Sequence, residues 1–157
     1  MKLSKPTNDF EEDILKNIKK HGFQYNIISD PDKKEPMFAY TIGFWATYNH
    51  PEIIVFGLHS SVVKAIFATM SEHLTKHEKH YELDKSYLEF IEGFECTFKP
   101  VPREKSIEYL LSSKWLYGKA EFPVMQLVFQ DEDHQYPWDV NASERFRRNQ
   151  PILGFIY

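Results

Sequence analysis

The side chains best suited to chemistry fall in two places that lie far apart in the chain. The first is the corner His50-Pro51-Glu52, which sits between two apolar runs in "FAYTIGFWATYNHPEIIVFGL". A histidine near a carboxylate can act as a general acid–base pair, with the glutamate orienting the imidazole. If His50 and Glu52 both belong to an extended segment, their spacing of two sends them to the same side. The plain alternative is a surface turn, because Asn49, His50 and Pro51 are all common turn residues. No nucleophile stands at a fixed spacing from this pair.

The second place is the stretch from Trp138 to Gln150. Arg145, Arg147 and Arg148 follow Trp138 and precede Asn149 and Gln150. A guanidinium fork suits phosphate or carboxylate, and an indole offers a stacking face. Together they could receive an anionic, nucleotide-like ligand. The competing reading pairs these arginines with Asp131, Glu132, Asp133, Asp139 and Glu144. Tyr40, in the strand-like run before the first corner, adds a further polar contact to a pocket built from both places.

Other constellations have structural explanations. His73, His77 and His80 recur at helical spacing, which can hold zinc, but Lys76 and Lys79 sit among them and no H-E-x-x-H pattern occurs. A solvated helix end is the expectation, and no metal site is assigned. Cys96 is the single cysteine and alternates with Phe94 and Phe98, as a buried, unreactive thiol would. Gln126 interrupts the apolar run "VMQLVF", and a buried amide there would tie the C-terminal tail to a sheet. Neither a G-x-G-x-x-G nor a P-loop pattern is present.

These side chains must be positioned by elements that the hydrophobic pattern makes visible. Phe10, Ile14, Leu15 and Ile18 form a helical stripe, with Asn8 or Asp9 as the cap and Gly22 as the stop. "FQYNIIS", "MFAYTIG", "EIIVFGL", "GFECTFKPVP" and "FPVMQLVFQD" read as strands. Tyr40 and Thr41 alternate, so one of them is expected to face the core and the other to face outward. A helix follows Ser60 and Ser61, with Val62, Val63, Ile66, Phe67, Met70 and Leu74 inward. "REKSIEYLLSSKW" forms a shorter helix. Between His77 and Glu92 the pattern weakens to a loop with one helical turn or a short strand. The tail "NASERFRRNQPILGFIY" ends apolar and is expected to pack back on the domain.

Three of these pieces in combination, "GFQYNII", "PMFAYTIGFWATYNHPEIIVFGL" and "FPVMQLVFQDEDHQYPWD…RRNQPILG", resemble the bacterial family called domain of unknown function forty-two sixty-two. The likeness runs from about Phe10 to Gly154. It differs in detail: Phe129 stands where the family commonly has Trp, and Glu132-Asp133-His134 replaces a shorter turn. The resemblance implies the family's fold and no particular activity. A fainter likeness of arrangement links "YTIG" and "PEIIVFGL" to flavin-reductase-like split barrels, which suggests a flavin-dependent enzyme as a further alternative; fold analogy does not transmit function.

The whole chain has 157 residues, 42% of them hydrophobic and 27% charged, with 13 Phe, 9 Tyr and 3 Trp. That length suits one domain with a core. The surplus of rings suits a pocket or an interface. A formal charge of −4 provides no global attraction for nucleic acid, and none is expected as a partner. No signal peptide or membrane-spanning stretch is visible, so a cytoplasmic protein without membrane attachment is expected. The expected architecture is α+β, a single domain over 1–157 with residues 1–8 a flexible lead. Its sheet is mainly antiparallel, flanked by about three helices. The expected function is binding of a small anionic molecule, cofactor unknown, between the loop after Tyr40–Gly43 and the Trp138–Gln150 segment. Tyr40, His50, Glu52, Trp138, Arg148 and Gln150 are its candidate contacts. His50 and Glu52 are the only candidates for catalysis, and the reading leans against an enzyme. The alternative is a protein-interaction module, such as an immunity or regulatory partner in a toxin or phage-conflict system.

Overall fold

The computed structural model describes residues 1–77 and 79–154. Its first helix, α1 (Asp9–His21), begins where the Asn8 side chain accepts the Glu11 N–H. It ends at Gly22, whose φ of 90° is the left-handed conformation that stops a helix without a Cβ penalty. Ser4, in the lead before α1, donates its N–H to the Leu116 carbonyl.

Six strands make one sheet: β1 (Gln24–Ile28), β2 (Phe38–Ile42), β3 (Glu52–Phe56), β4 (Tyr87–Ile91), β5 (Phe94–Pro100) and β6 (Val124–Phe129). Their spatial order is β1-β2-β3-β6-β5-β4. All neighbours are antiparallel except β3 and β6, which run parallel with Glu52 opposite Val124 and Val55 opposite Leu127. The sheet is therefore two antiparallel halves joined at a parallel seam. The chain is α+β with a mainly antiparallel sheet, as its strand pattern implies.

Both faces of the sheet are covered. Ile53, Val55, Met125 and Leu127 pack under α3 (Ser60–Lys76) through Val63, Ile66, Phe67, Met70 and Leu74. Ile54, Phe56, Tyr40 and Val124 face the other way, against Ile14 of α1 and Leu110, Leu116 and Tyr117. This two-sided cover explains why Tyr40 and Thr41 are both buried, against the expectation that one would face outward.

The helices number six among the described residues, more than the pattern suggested. The stretch expected as one helix after Pro102 divides at Leu110 into α4 (Arg103–Tyr109) and α5 (Leu111–Tyr117). Two short helices lie outside the expected ones: α2 (Phe44–Tyr48) in the loop after Gly43, and α6 (Glu144–Asn149) in the polar part of the tail. β4 fills the weakly patterned stretch after His77, and a register shift lets both Tyr87 and Phe90 turn inward. In the tail, Gln126 donates to the Pro151 carbonyl (2.7 Å) and accepts the Leu153 N–H (2.9 Å). That is the tie expected of a buried amide within an apolar strand. The apolar end of the tail at 155–157 lies outside the described residues.

Candidate functional site

Glu52 opens β3 and is fully buried. Its carboxylate accepts from the Thr41 hydroxyl (2.8 Å) and from the backbone N–H groups of Gly43 (3.0 Å), Phe44 (3.0 Å) and Trp45 (3.3 Å). The Tyr117 hydroxyl donates to it as well, and itself accepts the Ala46 N–H. α2 starts at Gly43, with φ 110°, and glycine has no side chain with which to cap a helix. Glu52 supplies that cap from the neighbouring strand, placing negative charge at the positive end of α2. Burial pushes the Glu52 carboxyl above its ordinary pKa, while the donors from Tyr117, Thr41, Trp45 and Gly43 pull the other way. Burial and the adjacent carboxylate also push Tyr117 upward, so it remains a neutral donor.

His50 is equally buried but belongs to a different environment. Its Nε2 accepts the Tyr81 N–H (3.1 Å), which leaves Nδ1 to donate to the Pro51 carbonyl (2.8 Å). These partners assign the neutral Nδ1–H tautomer. Burial is the main cause lowering its pKa from 6.5 to about 4. Its ring meets Phe44 and Tyr81 edge-on, in the core beneath α3. Glu52 instead shares its surroundings with Trp45 and Tyr117 on the opposite side. The expected acid–base pair therefore does not assemble. His50 precedes β3 and is separated from it by Pro51, so the two-residue period of a strand does not apply across the pair.

Nor does the corner meet the Trp138–Gln150 segment. β3 and β6 run parallel from Glu52 and Val124, so the chain leaving β6 at Phe129 emerges at the opposite end of the seam. There the Gln150 amide exchanges hydrogen bonds with the Phe129 N–H and carbonyl, both 2.9 Å. Gln150 thereby acts as an added rung on β6 and is fully buried. Trp138 stacks on Tyr136 at 4.7 Å and lies beneath the Lys99 ammonium at 4.9 Å. Arg147 pins the preceding loop through the Pro137 and Asp139 carbonyls. Tyr40 is buried, its hydroxyl accepting from Asn26 and the Ser112 N–H. The two places form separate frameworks at opposite ends of the β3–β6 seam.

Arg145 and Arg148 are exposed. They line a groove of about 1020 Å³ with Lys33 and Lys34 from the β1–β2 loop and Asp131–Asp133 from the turn after β6. Ion pairs among the described residues involve none of these four cations, so the expected acid partners do not hold the arginines.

With the fold and these sites in place, comparison with known proteins is specific on one point. The family model described as Domain of unknown function (DUF4262) matches residues 17–143. The chain belongs to this family. No curated protein and no solved structure matches it significantly. The DUF4262 match takes in the Glu52 framework with Thr41 and Tyr117, and it ends before Arg145 and Arg148.

Several further groups of this DUF4262 chain are accounted for by packing. α3 stops at Lys76, so the helical spacing does not carry from His73 to His80. His73 Nδ1 lies 2.9 Å from both the Tyr81 hydroxyl and a Glu89 oxygen. No group of three or more His, Cys, Asp or Glu among the described residues is arranged to hold a metal. Cys96 is buried, and burial pushes its thiol up to about 12. No described helix is long and apolar enough to cross a membrane. Tyr117 and the Lys33–Lys34 pair are not among the site residues expected from the sequence. Tyr117 resembled any inward helical aromatic, whereas adjacent lysines in a proline-bounded loop were a visible signal of a charged surface.

Proposed function

We propose that this DUF4262 domain is a binding protein whose groove between the β1–β2 loop and α6 takes a small anionic ligand. The observation carrying this reading is the set of four cations, Lys33, Lys34, Arg145 and Arg148, around one concavity of about 1020 Å³, none of them in an ion pair with another of the described residues. Of the contacts expected from sequence, Arg148 is the one that lines this groove. Tyr40, His50, Glu52 and Gln150 support it indirectly, by fixing the sheet on which its loops stand. Catalysis gains no support from His50 and Glu52, since each is occupied by its own partners.

Isothermal titration with inorganic phosphate, pyrophosphate, ATP and citrate tests the proposal. At least one should bind at submillimolar concentration, and Arg145→Ala with Arg148→Ala should weaken it about tenfold or more. Absence of binding by all four, or binding indifferent to both substitutions, refutes the reading.

The protein-interaction reading has one observation in its favour. Glu35, Asp131, Glu132 and Asp133 share the groove with the cations, a mixed surface that also suits a protein of complementary charge. The flavin-reductase reading rests on fold analogy alone.

A further inference from the structure

The two edges of the sheet are treated differently. β4 has only two aligned pairs with β5, a register shift between them, and a charged residue, Glu89, within the strand. Bulges and charges of this kind deter further pairing. β1 has none of these defences. Its sequence, QYNII, contains no charge and no proline, and it pairs with β2 in unbroken register from Gln24 to Ile28. Alternate residues of such an edge point their N–H and C=O groups away from the sheet.

A groove of about 720 Å³ lies against this edge. Its lining comes from both sides of the sheet. Phe23 and Tyr25 pack on the α3 side, while Gln24 bonds Asn17 of α1 on the other. The groove therefore meets the start of β1, at Gln24 and Tyr25, between two helical walls, and the rest of the strand edge runs on from it. On the α3 wall the residues are small or short, Ala68, Ser71 and Thr75, leaving room above the two rings.

We propose that this slot receives an extended peptide of a partner protein as a seventh strand, in antiparallel or parallel register with β1. The two walls specify its side chains. Residues facing Phe23, Tyr25 and Ala68 should be apolar, and the alternating set facing Asn17 and Gln24 should be polar. The rim specifies charge. Lys64 and Lys76 line it against one acid, Glu72, which already pairs with Lys76 at 3.4 Å. The last turn of α1 adds Lys19 and Lys20. Acidic residues flanking the apolar positions complement this rim. A second copy of the chain fits poorly, because edge-to-edge pairing brings two sets of these cations and two pairs of helical walls together.

Selection of random peptides displayed on phage against the full chain, followed by fluorescence polarisation of labelled synthetic peptides, tests this surface. The enriched sequences should alternate apolar residues and carry acidic flanks. Ala68→Trp, at an exposed helical position, fills the slot and should weaken binding about tenfold or more. Lys64→Glu, also exposed, should weaken it about threefold or more at low salt. In the complex, amide exchange across Gln24–Ile28 should slow. The proposal is overturned if nothing is enriched, if selected peptides bind Ala68→Trp as tightly as the parent, or if exchange in β1 is unchanged. Light scattering that shows a dimer abolished by Ala68→Trp would assign the edge to a second copy and overturn it too.

Discussion

Replacing Glu52 with glutamine changes one oxygen to an NH₂ group and leaves the shape nearly intact. The surroundings offer that NH₂ little. Five groups donate to the carboxylate: Thr41, Gly43 and Phe44 through Trp45, and Tyr117. If the NH₂ takes the position of Oε2, the N–H groups of Gly43 and Trp45 and the Tyr117 hydroxyl lose their acceptor. If it takes the position of Oε1, the Phe44 N–H is stranded. Thr41 must then turn its hydroxyl hydrogen elsewhere, because its oxygen also accepts the Ile53 N–H. Either orientation leaves at least two donors unsatisfied, at about 1–3 kcal/mol each, so a loss of about 2–5 kcal/mol is expected. For a chain of this size that lowers Tm by about 5–15 °C. Urea unfolding followed by circular dichroism and by tryptophan fluorescence measures it. The pH dependence gives a second readout. Burial raises the Glu52 pKa in the folded state, so its contribution to stability is present below the ordinary carboxylate value and declines as pH rises through the raised one. Glu52→Gln should lack that decline. Tyr117→Phe removes one donor and strands the Ala46 N–H, and its cost should add less than fully to that of Glu52→Gln. A glutamine variant that melts within about 1 °C of the parent would falsify the capping role assigned to Glu52.

Two further outcomes follow from the same accounting. His50 holds its proton more weakly when folded than the ordinary 6.5, at about 4, so its contribution is intact above pH 6.5 and is lost as pH falls toward 4. The loss should reach about 2–4 kcal/mol; urea midpoints of the parent should fall across that window more steeply than those of His50→Gln, and parallel curves would count against a buried neutral imidazole. Gln150→Leu strands the buried N–H and carbonyl of Phe129 and should cost about 2–4 kcal/mol; an unchanged denaturation midpoint would remove Gln150 from the framework.

Much of the frame was legible because its signals are local. Asn8 and Gly22 bound α1 as capping chemistry requires, and the apolar stripe of α3 is continuous through Leu74. The strands carried their own alternation or β-branched runs. The parallel pairing of β3 with β6 left no local mark, since register between distant strands depends on which faces are covered. That one pairing decides that the Glu52 corner and the Trp138–Gln150 segment stand at opposite ends. α2 was illegible for a related reason. "FWATY" carries no cap of its own, and its cap arrives from a strand later in the chain. The His50–Glu52 spacing misled because a proline separated the histidine from the strand whose period was being counted. Gln126 was read correctly because a lone amide in an apolar strand needs partners wherever it is buried.

The parallel seam also constrains the order in which the chain can assemble. β1, β2 and β3 are consecutive in sequence and neighbours in space, and so are β4, β5 and β6. The first trio and the β4–β5 hairpin close through short connections, β6 joins β5 across α4 and α5, and β3 meets β6 only after the whole stretch from Phe56 to Val124 has been gathered in. Until that junction forms, Ile53, Val55, Met125 and Leu127 lie along two unpaired strand edges. The slow, aggregation-sensitive step of folding is thus the joining of two half-sheets, and substitutions along the seam will be felt first in the yield of refolded protein.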